Sequence, residues 1–274
     1  MKFLRTLFRF YINASIHVAF SVVSFALFTY IQLQLPIDYM LLTFIFLSSI
    51  TGYNFVKYAP VARLHHRSLT QQLRQIQIFS LLVFVGLMIC LYFISAKVIL
   101  ICAVLGLITI FYAVPIGRKN IREMAYLKVF VIAFIWASAT YILPVINYSS
   151  IWPGLNEMST FQYFERMLWV VLLMVPFEIR DLKFDEKYLK TLVSAMGVKR
   201  IKTFSFILLI LLFFQKLYFL NAEYIWIYLC IYTSLALVIM LAKPIQKRYY
   251  SSFFVEGLPI LWALLIVIKF SLNQ

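Results

Sequence analysis

Apolar runs of about 20 residues follow one another along the whole chain, and this constrains the fold more than any other feature. A segment in lipid has no water to satisfy its backbone, so it must be helical or belong to a closed barrel. The runs here are continuously apolar rather than alternating, which excludes the barrel. Mean hydropathy is +0.92 and 13% of residues are charged, values outside the range of soluble domains. The sequence therefore predicts an all-α polytopic membrane protein forming one domain over residues 1–274. Met1–Arg9 is short and basic, but Phe10–Leu33 is too long for the core of a signal peptide and carries no small-residue cleavage site. It reads as the first span. Cys90, Cys102 and Cys230 sit inside apolar runs and read as small core residues.

Nine transmembrane helices are predicted, at about 10–33, 38–56, 75–95, 97–114, 128–147, 164–178, 203–220, 223–242 and 253–270. The basic residues then sort by side. Only Lys97, Arg166, Lys216 and Lys269 of the 25 Lys and Arg residues fall on one face of the membrane. The positive-inside rule makes the N-terminus cytoplasmic and the C-terminus external. Sidedness and attraction to anionic lipid account for most of the net charge of +15, and no nucleic-acid motif accompanies it, so no nucleic-acid partner is expected.

Two loops carry the same pattern, Ala-x-Pro-Ile-x-basic-basic. One is Ala113-Val-Pro115-Ile-Gly-Arg118-Lys119 and the other Ala242-Lys-Pro244-Ile-Gln-Lys247-Arg248. The repeat predicts two four-helix halves with a ninth helix appended. Pro followed by basic residues is also a common helix stop at a cytoplasmic edge.

Glu178-Ile-Arg-Asp181-Leu-Lys-Phe-Asp185-Glu186 places four of ten carboxylates in nine residues, directly after an apolar run. On a helix Glu178, Asp181 and Asp185 fall within about 60° of one another. Such carboxylates repel unless a cation lies between them, which makes the group a candidate metal or ligand site. The same residues, with Arg180, Lys183, Lys187 and Lys190 as neighbours, also suit a solvated helix at a membrane edge.

Three segments resemble the UbiA superfamily of intramembrane prenyltransferases. Asp181 and Asp185, with Glu178 before them and Thr191-Leu192 and Gly197 after, resemble its second acidic motif. Phe111-Tyr112-Ala-Val-Pro115-Ile-Gly-Arg118 resembles its Tyr-Ser-x-Pro-x-x-Arg segment, and Glu256-Gly257 its Asp-Gly in the last helix. The family's first motif, Asn-Asp-x-x-Asp-x-x-x-Asp, departs here. Asn54 is kept, but Phe55, Tyr58 and Ala62 hold the Asp positions and Lys57 has entered.

The resemblance implies transfer of a prenyl group from an isoprenoid diphosphate to a lipophilic acceptor, in a bacterial inner (plasma) membrane. It assigns Asp181 and Asp185 as catalytic residues and Mg²⁺ ligands. Asn54, Lys57, Tyr58, Arg63, Tyr112, Arg118 and Glu178 become substrate-binding candidates. Arg63 and Arg67 are four apart, on one helix face, and with Lys57 and Arg118 are expected to bind the diphosphate directly in place of a second metal. A positive-inside loop is the plainer account of the same charges, and the neighbouring His65 and His66 are a weak metal signal. The missing first motif keeps a second reading open, a catalytically inactive relative that binds an isoprenoid or lipid or scaffolds a pathway partner. A transporter is a third class allowed by repeated halves, but few Gly or Pro interrupt the spans.

Overall fold

A computed structural model describes residues 2–62, 71–114, 124, 126–148, 157–185, 191–219 and 225–272. Every regular element among these residues is helical. The chain clusters into two compact units, Met1–Arg122 with Ser138–Asn156, and Glu123–Ala137 with Glu157–Gln274. Five stretches are long and apolar enough to cross a membrane, or six if a bent pair at the N-terminus makes one span. The chain is thus a multi-pass integral membrane protein.

The first unit begins with α1 (Lys2–Asn13) and α2 (Ile16–Gln32), which meet at 54°. One straight span was expected over 10–33. Instead the helix starts at Lys2 and breaks at Ala14–Ser15, where Ser15 adopts a left-handed conformation with φ 61°. α1 carries Lys2, Arg5 and Arg9 beside Phe3, Leu4 and Leu7, and the last three are exposed. That is the composition of a helix lying at a membrane surface. Beyond the break come α3 (Tyr39–Ala62), α4 (Gln71–Leu91) and α5 (Ala96–Ala113). α4 turns Leu81, Leu82, Val85 and Ile89 outward, as a lipid-facing helix does.

Ala19, Ile50 and Val83 form one buried cluster, closed by Phe46, Leu47 and Phe79. Residues 138–142 form a π-helical turn leading into α7 (Leu143–Tyr148). Thr29 Oγ1 donates to the Thr140 carbonyl at 2.7 Å, satisfying an acceptor at this irregular turn. Asn147 Nδ2 donates to Asp38 Oδ2 at 2.7 Å.

The second unit contains α6 (Leu127–Ala137), α8 (Glu157–Asp185), α9 (Leu192–Met196), α10 (Val198–Phe219), α11 (Ile225–Leu241) and α12 (Leu258–Leu272). α8 runs 29 residues, well beyond the expected 164–178, and keeps Pro176 inside it. Gln246 Nε2 donates to the Pro176 carbonyl at 2.8 Å. The core is Leu172, Ile179, Ile227, Ile231, Leu235 and Trp262. Trp169 meets both Trp262 and Tyr232 edge to face, with centroids 4.7 and 5.0 Å away. Cys230 is exposed on α11, and Cys90 and Cys102 are half-buried, so the expected core role fits none of them fully.

Candidate functional site

The acidic residues lie on the last turns of α8, not in a loop after it. α6 packs along this helix, and its first turn carries Lys128. Lys128 Nζ is 2.9 Å from Glu178 Oε1 and 3.7 Å from Asp181 Oδ2. Glu178 is 3% exposed, so its charge requires a paired cation. Arg180 Nε closes on Asp181 Oδ1 at 2.8 Å and packs over the Phe177 ring. One ammonium thus spans two carboxylates a helical turn apart, and a guanidinium takes the free side of the second. Asp185 ends α8, and its side chain lies outside the described residues.

Thr191 and Gly197, expected within the acidic motif, frame α9. The Thr191 side chain accepts from the Ser194 backbone N–H at 3.1 Å, and Ser194 Oγ accepts from the Thr191 N–H at 2.8 Å. Gly197 ends the helix at φ 79°, a conformation that glycine adopts without strain. Glu256 follows a π-helical turn over Tyr250–Val255, where its N–H donates to the Ser251 carbonyl.

At the place of the missing first motif, α3 brings Asn54, Lys57 and Tyr58 together on the α1–α2 break. Asn54 Nδ2 donates to the Ala14 carbonyl at 3.2 Å and to Ser80 Oγ at 2.8 Å. Lys57 Nζ and Tyr58 Oη both donate to the Asn13 carbonyl, at 3.0 and 2.8 Å. In an unbroken helix those carbonyls would accept from N–H groups four residues on. Here three side chains of α3 replace those bonds. The Ala14 carbonyl is in a buried setting, where an unpaired backbone acceptor is costly, which explains why a polar residue holds position 54.

Tyr112 is buried at the end of α5. Arg63, His65, His66, Arg67 and Arg118 lie outside the described residues.

The Mg²⁺ that the acidic motif led us to expect does not suit the described side chains. No group of three or more His, Cys, Asp or Glu residues comes together among them. Mg²⁺ needs bare oxygens at about 2.0–2.1 Å in octahedral array, and Glu178 and Asp181 are already paired to Lys128 and Arg180. At the first-motif position the polar residues are Asn54, Lys57 and Tyr58, with no carboxylate.

Sequence reasoning missed two features. It gave Lys128 no role beyond a sidedness charge at the start of a span at about 128–147, although a charge at the head of an apolar run marks a helix end that can pair with a neighbour. It also placed Arg166 and Lys216 at the far face of the membrane and did not single out Glu165, whereas all three are buried.

No protein-family model matches the sequence, and neither does any curated protein. Two solved structures share the fold. One is the apo structure of a UbiA homolog from Aeropyrum pernix K1, at TM-score 0.65 and 16% identity, covering 94% of this chain and 98% of that one. The other is a digeranylgeranylglyceryl phosphate synthase in membranes, at TM-score 0.55 and 16% identity, covering 98% of each chain. The likeness runs nearly end to end in both, so the fold of this chain is the UbiA fold.

Proposed function

We propose that the chain is a divergent UbiA-like prenyltransferase, taking an isoprenoid diphosphate and a lipophilic acceptor from the bilayer. The observation that carries this reading is an acidic motif on the last turns of a long helix in a UbiA fold. In the reaction the C–O bond to the diphosphate breaks, the prenyl carbon bonds to the acceptor, and the acceptor loses a proton. The leaving diphosphate needs positive charge, and fixed cations can supply it. On α8, Asp181 and Asp185 are the proposed catalytic carboxylates, and Asp181 holds Lys128 and Arg180 in position. Asn54, Lys57, Tyr58, Arg63, Tyr112, Arg118 and Glu178 are proposed substrate-binding residues on the sequence match alone. Nine spans, a cytoplasmic N-terminus and a bacterial inner membrane complete the reading.

Labelled prenyl diphosphates of graded length, given to the purified protein with a membrane extract as acceptor, test it. Product formation that Asp181→Asn abolishes supports transfer. Product formation unchanged in that variant overturns the assignment.

One observation favours a second reading, binding without transfer. Asn54, Lys57 and Tyr58 already bond to the Asn13 and Ala14 carbonyls, where the family motif would offer carboxylates. A co-purified isoprenoid with no product from any donor would select it. Cysteines introduced one at a time at the chain ends, tested with an impermeant reagent, check sidedness. Labelling of an N-terminal cysteine from outside intact cells overturns that part.

A further inference from the structure

We propose that the ammonium of Lys128 is the resident cation of Glu178 and Asp181 on the last turns of α8, and that these two carboxylates bind no divalent metal ion. As an account of how a diphosphate is held, the inference rests on the reading above; as a statement about the carboxylates, it stands alone.

Glu178 is buried, and an ionised carboxylate there persists only with a partner. Lys128 reaches it at 2.9 Å from the first turn of α6. The same ammonium lies 3.7 Å from Asp181 Oδ2, and Arg180 takes Oδ1. Two negative charges thus meet two positive ones. A divalent ion entering beside these carboxylates would face the Lys128 ammonium a few ångströms away, and would have to displace it to gain bare oxygens. Lysine suits the position, because its compact charge on a flexible stem can sit between two carboxylates. With their charge cancelled, Glu178 and Asp181 do not repel an incoming diphosphate. The positive charge that a diphosphate needs then comes from basic residues other than Lys128 and Arg180.

The test uses the full chain in lipid nanodiscs, titrated with Mn²⁺ and read by electron paramagnetic resonance. Wild type is expected to show no stoichiometric site. Lys128→Met removes the ammonium from both carboxylates, with Arg180 left on Asp181 Oδ1, and should gain one Mn²⁺ per chain, at least tenfold tighter than any wild-type binding and lost again when Asp181→Asn is added. Lys128→Arg keeps the charge and should stay metal-free. A stoichiometric wild-type site that Asp181→Asn removes overturns the proposal. So does a folded Lys128→Met that gains nothing. If Lys128→Met does not fold, the wild-type and Lys128→Arg titrations still decide.

A second arm measures farnesyl diphosphate binding to wild type with and without EDTA. Equal binding supports the proposal, and binding lost in EDTA overturns it. No binding in either condition counts against the diphosphate reading, while the Mn²⁺ result still stands for the carboxylates.

Discussion

Lys216 sets its ammonium 2.9 Å from Glu165 Oε2, joining α10 to α8 through a pair of buried side chains. Tyr232 donates its hydroxyl to the other carboxylate oxygen at 3.2 Å, and the ammonium lies 4.9 Å from the Tyr228 ring centre. Both charges have therefore given up solvent for protein partners. The energy of such a group lies mainly in what happens when one member is lost.

Lys216→Met is accordingly expected to cost about 3–5 kcal/mol, because it strands the Glu165 carboxylate. Adding Glu165→Gln should recover most of that loss. Equilibrium unfolding of the protein in mixed micelles measures both. A double variant no better than Lys216→Met would show that Glu165 is not stranded.

The brace at the α1–α2 break makes a separate prediction. Asn54→Ala leaves the Ala14 carbonyl without its side-chain donor and should cost about 1–3 kcal/mol. Lys57→Met with Tyr58→Phe strips both donors from the Asn13 carbonyl. Hydrogen exchange over the residues around Ser15 should accelerate in each variant, while exchange in α11 stays unchanged. Protection around Ser15 equal to wild type would remove the brace.

Gly197 isolates backbone strain from packing. A Cβ placed there meets nothing within 4 Å, so Gly197→Ala costs only the φ of 79°. About 1–3 kcal/mol is expected by unfolding. A neutral result would mean that α9 ends differently.

Lys202 lies at the start of α10, ahead of its apolar run, and donates to the Met240 and Ala242 carbonyls, both at 2.7 Å. Burial, and then the charge of Lys243, lower its pKa from the usual 10.5. In the window just below 10.5 the unfolded chain therefore holds more protons than the folded one. Stability contributed by this group rises as pH climbs through that window. Lys243→Gln should flatten the rise. Unfolding midpoints on an ascending pH series, compared between the two proteins, read the effect; a rise that is equally steep in both would exclude Lys243 as a cause.

Much of the helical framework was legible in the residues. The starts of α5 and α11 lie within one or two residues of the sequence reading, because an apolar run begins where charge or a helix breaker ends. The reading failed where bonds come from elsewhere in the chain. Asn13, Ser15 and His17 interrupt the apolar run around the break, but nothing local announced that Asn54, Lys57 and Tyr58 would brace it. The length of α8 was missed for a related reason. Its polar ends read as loops, yet Glu178 and Asp181 stay helical, Glu178 buried and Asp181 half-buried, with Lys128 beside them.

What the amino-acid order determined alone is the helical class, the lipid-facing character and the grouping of carboxylates near residue 181. These follow from solvent preference and helical period, which act over a few turns of chain. Tertiary structure decided the partners: Lys128 for Glu178, Lys216 for Glu165, and three side chains of α3 for two carbonyls near Ser15. Each pairing joins residues far apart in the chain, and its strength depends on burial that packing alone creates.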